Sequence, residues 1–143
     1  MLVKQISVFI ENKSGRLAEI TRLLGENNID ISALSIADTT DFGILRLIVS
    51  DPQKAEYVLK KESFTVSCTS VIAISVIDKP GGLSGALEIL DKNLISIEYM
   101  YAFVGKRENV ALVILRVENP EKAVQVLENS GVKVLSSSDV YRL

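Results

Sequence analysis

At 143 residues the chain has room for one ordinary domain or two small ones. Its charge is slightly acidic, 16 Lys plus Arg against 18 Asp plus Glu, and there is no basic run, so the phosphate attraction of a nucleic-acid binder is missing. No histidine and one cysteine, Cys68, exclude His-based acid–base and triad chemistry, paired-thiol redox chemistry and an intrachain disulfide.

From the start, Ile6, Val8 and Ile10 alternate with Gln5, Ser7 and Phe9, which predicts a strand over 3–10. A polar turn containing Gly15 follows, with Ser14 as the expected helix N-cap. Leu17, Ile20, Leu23 and Leu24 recur at helical spacing, and Gly25 with Asn27-Asn28 closes that helix. Ile29 to Ala37 reads as a strand, Asp38-Thr39-Thr40-Asp41 with Gly43 as a turn, and Ile44 to Val49 as a second strand. Asp51-Pro52 has the chemistry of an N-cap followed by Pro at the first helical position. Ala55, Val58 and Leu59 give that helix its apolar stripe, and Phe64 to Val66 closes the unit as a short strand.

After a short linker, Ser67 to Ser70, the order repeats. Val71 to Ile77 is a strand and Leu83 to Asp91 a helix. Ile95 to Val104 and Asn109 to Val117 are strands joined through Gly105 to Glu108. Asn119-Pro120 opens a last helix, and Val132 to Leu135 closes the copy. The tail, Ser136 to Leu143, ends in an alternating pattern that suggests an edge strand.

The repeat is visible residue by residue. Asn12-Lys13-Ser14-Gly15-Arg16-Leu17 is echoed by Asp78-Lys79-Pro80-Gly81-Gly82-Leu83. Asp51-Pro52-Gln53-Lys54-Ala55 is echoed by Asn119-Pro120-Glu121-Lys122-Ala123, with the offset grown by two residues. Strand, helix, strand, strand, helix, strand, twice over, predicts an α+β chain: two ferredoxin-like (βαββαβ) domains in tandem, residues 1–68 and 69–143. Each has an antiparallel sheet with its helices on one face. Ile44, Leu45, Leu47, Ile48 and Val49 are apolar on both sides of their strand, and so are Val110 to Leu115, so the second face needs cover from the other copy or from a second chain.

Chemistry concentrates at the two Gly turns. A strand-to-helix turn presents unpaired backbone N–H groups beside the positive end of a helix dipole, and Gly lets a ligand approach the backbone. That suits a small carboxylate, while Asn12 or Asp78 would hold an ammonium or orient the loop. An α-amino acid carries both charges. A glycine at a tight turn also needs no ligand, and that reading stays open. The carboxylates Glu19, Glu26, Asp30, Asp51, Glu56 and Glu88 fall where exposed faces or caps put them, and Cys68 reads as a small packed residue. No catalytic residue, metal site or cofactor is expected.

At these residues the sequence resembles the ACT domain family. The matching pattern is a strand ending in an acidic or amide residue, a Lys/Arg-Pro/Ser-Gly-x-Leu turn, an apolar helix and an Asn-Ile-x-Ile strand start. It stands as Asn12 to Leu17 with Asn28-Ile29-Asp30-Ile31, and as Asp78 to Leu83 with Leu94-Ile95-Ser96-Ile97. The resemblance covers nearly the whole chain and implies a regulatory module, not an enzyme. It implies a free amino acid bound at the interface of paired domains, a homodimer, and a target enzyme or regulator as partner. Carried over by position, the ligand contacts are Asn12, Ser14, Gly15, Arg16 and Leu17 in the first copy and Asp78, Pro80, Gly81, Gly82 and Leu83 in the second. Asn28 and Asp30 are candidates for contacts across an interface.

Other readings remain. One is a ligand-free assembly subunit of an amino-acid biosynthetic enzyme. Another is an acylphosphatase-type hydrolase, encouraged only by Arg16 in its Gly turn. A third is RNA binding through Tyr99, Tyr101 and Phe103, which alternate along one strand of this acidic chain. No apolar run spans a membrane, and Met1 to Gln5 lacks the regions of a signal peptide, so a cytoplasmic location is expected.

Overall fold

The computed structural model describes residues 2–11, 15–38, 42–105 and 107–143. Among the described residues the elements are β1 (Val3–Glu11), α1 (Arg16–Glu26), β2 (Ile31–Asp38), β3 (Phe42–Val49), α2 (Pro52–Lys61), β4 (Thr65–Ile77), α3 (Gly82–Lys92), β5 (Ile97–Ala102), β6 (Val110–Val117), α4 (Pro120–Asn129), β7 (Lys133–Val134) and α5 (Ser137–Tyr141). They follow the anticipated order twice, except that β4 both closes the first copy and opens the second and that α5 is added at the end. The predicted turn at Thr39 to Asp41 lies outside the described residues. The chain divides into two compact units. The N-terminal unit is Lys4–Thr69 with Tyr141–Leu143, and the C-terminal unit is Ser70–Val140 with the chain's first residues through Val3.

Each unit is the βαββαβ sandwich that the sequence predicts. In the N-terminal unit the strand order is β2-β3-β1 with β4 next to β1, and β1 meets β3 antiparallel with Ile6 opposite Leu47 and Val8 opposite Leu45. In the C-terminal unit the order is β5-β6-β4, with β7 also pairing β4, and Ile72 stands opposite Leu115 and Ile74 opposite Val113. Directly opposed residues share a face. These pairs therefore face the helices. Ile20, Leu23 and Leu24 of α1 and Ala55, Val58 and Leu59 of α2 complete one core. Ala86 and Leu90 of α3 and Ala123, Val124 and Leu127 of α4 complete the other. A Leu or Ile fully buried this way stabilises by roughly 1.5–3 kcal/mol. On the face away from the helices Ala33, Ile48, Ala73 and Ile114 are also fully buried.

Two sequence expectations fail, for local reasons. Ser67 to Ser70 is not a linker but lies within the thirteen-residue strand β4. Thr65, Val66, Thr69 and Val71 are β-branched, and no Gly or Pro interrupts them. The tail is not an edge strand but helix α5. Ser136 Oγ accepts the Asp139 amide at 3.1 Å, and the Val140 amide donates to the Ser136 carbonyl, also at 3.1 Å. An N-cap serine has overridden a weak alternation, and α5 seats Val140 fully buried.

Candidate functional site: two uncapped strand-to-helix turns

β1 leads into α1 through Gly15, and β4 leads into α3 through Gly81. The two glycines occupy the N-cap position at φ 86°, ψ −8° and φ 86°, ψ −7°. That left-handed backbone costs an L-residue about 1–2 kcal/mol and glycine nothing. The cap of α1 therefore falls on Gly15 and not on Ser14, which with Asn12 lies outside the described residues. Among the described residues neither α1 nor α3 receives a side-chain cap. The other two long helices do: Asp51 accepts the Lys54 amide at 3.1 Å and Asn119 accepts the Lys122 amide at 3.2 Å. In α3 the Gly82 amide donates to the Lys79 carbonyl and the Gly85 amide to Gly81. Among the described residues the Leu83 and Ser84 amides between them have no acceptor outside the helix, and as first-turn donors they stand beside the positive helix end.

Around this shared backbone the side chains differ. Asp78, Pro80 and Gly81 are exposed, while Gly82 and Leu83 are half-buried, with Leu83 packing on the core. The Asp78 amide donates to the Asn109 carbonyl at 2.9 Å, tying the turn to the β5–β6 connection. A Cβ on Gly82 would fall on the Ile77 carbonyl oxygen, so that position admits only glycine without movement. The equivalent position of the first turn carries Arg16. Its guanidinium is 3.2 Å from Glu19 and stacks over the Phe64 ring at 5.7 Å. Gly15 and Leu17 are exposed beside it.

Asn28 and Asp30 are not brought to this turn within their unit. They follow the far end of α1, an eleven-residue helix about 16 Å long. Asn28 is held at φ 58°, and the Asp30 amide donates to Ser50 Oγ at 3.0 Å.

Two cavities involve residues that the sequence gave no reason to choose. One, about 140 Å³, lies beside the first turn, between the end of β1 and the α2–β4 connection; Arg16, Glu11, Glu62, Ser63 and Phe64 are among its walls. The other, about 470 Å³, lies at the opposite end of the C-terminal unit, between Leu94-Ile95-Ser96 and Glu118, Asn119, Glu121 and Lys122. Repeat equivalence was the available signal for the second, because Ser96 and Lys122 match Asp30 and Lys54. In the first copy Lys54 Nζ reaches the Asn27 carbonyl at 2.7 Å.

The remaining chemistry is sparse. Cys68 is exposed and not packed as the sequence suggested, because it lies on the part of β4 beside α2, where it donates to the Glu56 carboxylate at 3.4 Å. Partial burial, and then this bond, push the thiol up from its ordinary value, while the same bond lowers Glu56. Tyr99 and Tyr101 stack at 6.5 Å and are half-buried, as is Phe103. Arg116 on that face is tied to Glu98 at 3.4 Å and to the Ser70 carbonyl at 3.1 Å, so no exposed aromatic–cation platform for RNA is built there. Among the described residues no cluster of His, Cys, Asp and Glu is placed to hold a metal, and no helix is long and apolar enough to cross a membrane.

The sequence matches the family of ACT domain pairs over residues 1–143. No curated protein matches it. A solved protein from Bacteroides thetaiotaomicron is 48% identical, with 100% of this chain and 98% of that one covered and a TM-score of 0.94. The ligand-free regulatory subunit of aspartate kinase from Thermus thermophilus is 15% identical, covers 90% of this chain and 91% of its own, and has a TM-score of 0.63. The corresponding subunit from Thermus flavus is 14% identical over 89% and 91%, with a TM-score of 0.60. At such identities the two kinase subunits show the fold.

Proposed function

Since the chain belongs to the ACT domain pair family, we propose that it is a regulatory protein without catalytic activity of its own, and that it binds a free amino acid at its strand-to-helix turns. One observation carries this reading. Among the described residues the helices that start at Gly15 and Gly81 have no side-chain cap, whereas α2 and α4 are capped by Asp51 and Asn119. A ligand carboxylate supplies the missing acceptor at a dipole-favoured position. Asp78, or Asn12 in the first copy, takes the ammonium. Asn28 and Asp30, at the far end of their helix, serve a turn on a neighbouring domain.

The ligand acts by binding one pairing of domains better than another, since only differential affinity shifts an equilibrium. A homodimer in the cytoplasm is the expected assembly. The solved aspartate kinase subunits that share the fold make an enzyme of amino-acid metabolism a reasonable target. A second reading, an assembly subunit that binds nothing, draws on Arg16, whose guanidinium already has Glu19 and Phe64 as partners.

A thermal-shift screen against the twenty amino acids distinguishes the two. Ligand at 100 times Kd adds about 2.7 kcal/mol, an easily seen shift. A selective response to one or two amino acids supports the sensor. A flat response to all twenty sinks it in favour of the assembly subunit.

A further inference from the structure

The cavity of about 140 Å³ beside the first turn is lined largely by positions at which the two copies differ. Arg16 stands where the second copy has Gly82, Glu11 where it has Ile77, Glu62 where it has Ser130, Ser63 where it has Gly131 and Phe64 where it has Val132. The backbone does not explain these changes. Glu62 and Ser130 are both helix C-caps, at φ −92° and −94°. Ser63 sits at φ 69°, where the second copy uses a glycine at φ 86°. A side chain at such an angle carries a conformational cost that glycine avoids. The N-terminal unit accepts that cost and gains a hydroxyl in the cavity wall.

The wall chemistry is of both signs. Arg16 has five N–H donors and pairs with Glu19 through Nη1, which leaves donors for another carboxylate. Glu62 has no side-chain partner among the described residues, and Glu11 adds a second carboxylate. Phe64, 9% exposed, and Phe9, packed on Phe42 at 4.5 Å, are the aromatic walls. The volume is below the roughly 300 Å³ at which pockets for drug-sized ligands begin.

We infer that this cavity is the size-limited binding site of the N-terminal unit for a small zwitterionic amino acid, with no equivalent in the C-terminal unit. The ligand carboxylate pairs with Arg16, its ammonium with Glu62, and Phe9 with Phe64 excludes long side chains. The inference rests on the amino-acid-binding reading and deepens it. It moves recognition in this unit from helix amides to side chains and makes the two copies unequal in what they accept.

The test is calorimetric titration of the full chain with glycine, L-alanine, L-serine, L-leucine and L-phenylalanine. Wild type is compared with Arg16→Met and Glu62→Gln, the second being a change at an exposed residue that leaves folding intact. The expected result is binding of the small amino acids only, weakened at least tenfold by either substitution. Glycinamide, which lacks the carboxylate, binds wild type at least tenfold more weakly than glycine does, and Arg16→Met no longer tells the two apart. If an amino acid binds but both variants stay within twofold of wild type, this site is refuted while the helix-end reading stands. If leucine or phenylalanine binds in an Arg16-dependent way, the size limit is refuted. If nothing binds wild type, both readings fall together.

Discussion

The two copies keep the same backbone at their helix ends but only some of the side chains attached to it. Gly15 and Gly81 agree in φ and within 1° in ψ. Asn27 and Asn93 each donate a side-chain amide to the carbonyl four residues earlier, both at 2.8 Å. Asp51 and Asn119 cap equivalent helices by equivalent bonds. Yet Arg16 faces Gly82 across the repeat, Ser63 faces Gly131, and Asn28 at φ 58° faces Leu94 at φ 58°. Buried backbone groups must find partners in both copies, so the residues that supply those partners persist. Positions that demand only an angle tolerate different side chains, and there the copies are free to differ in function.

The sharpest way to break the comparison is at position 82. Gly82→Ala drives a Cβ onto the Ile77 carbonyl oxygen, a backbone atom that cannot rotate away. The expected loss is about 3 kcal/mol by urea unfolding, the upper range for overpacking. Arg16→Ala at the matching position gives up only a half-exposed ion pair with Glu19 and contact with Phe64. It should cost less than about 1 kcal/mol. Equal losses would mean that the two turns are interchangeable after all.

Next are the caps. Asp51→Ala and Asn119→Ala each remove one accepted amide bond, at 3.1 and 3.2 Å. Each should cost about 1 kcal/mol in thermal denaturation. The comparison predicts near-equal losses, and a difference larger than the effect itself would show that the copies do not share their helix-end accounting.

These helix ends also mark what a sequence makes legible. Asp51-Pro52 and Asn119-Pro120 announce their helices because capping is local chemistry, and the α+β repeat follows from periodicity and order alone. The continuation of β4 through Ser67 to Ser70 was hidden because a polar stretch without Gly or Pro reads as linker or strand equally well. Helix α5 was hidden because Val140 to Leu143 alternates, while the Ser136 cap that decides its conformation sits before the pattern begins. At the first turn Gly15 and Arg16 stand out through the repeat. Glu62, Ser63 and Phe64 do not, since the fold brings them there from a segment with no motif.

Leu94 offers a smaller, opposite effect. It sits at the left-handed position after α3, donates its amide to the Asp91 carbonyl and leaves its side chain 92% exposed. Leucine gains nothing from burial there and carries the cost of the angle. Leu94→Asn restores the first copy's residue and should stabilise by roughly 0.5–1 kcal/mol, read as a raised denaturation midpoint. A destabilised variant would mean that the side chain is held by a partner, for which the adjoining 470 Å³ cavity is the first place to look.

The smallest expected effect is at Cys68, whose repeat equivalent is Ser136. The first copy runs on as strand β4 through this position, and the second turns there into α5. Cys68 consequently stays beside α2, where partial burial first and the Glu56 carboxylate second raise its thiol. A raised value means less thiolate than a free cysteine has at the same pH, so alkylation near pH 8.5 is slow, rises as pH approaches the shifted value and levels off above it. Glu56→Gln removes the second cause and leaves the first. Its rate should rise a few-fold and still fall short of a free thiol, as measured by iodoacetamide labelling followed by mass spectrometry. An unchanged rate would leave burial as the sole cause. A rate equal to that of free cysteine would mean that the carboxylate, not burial, holds the thiol down.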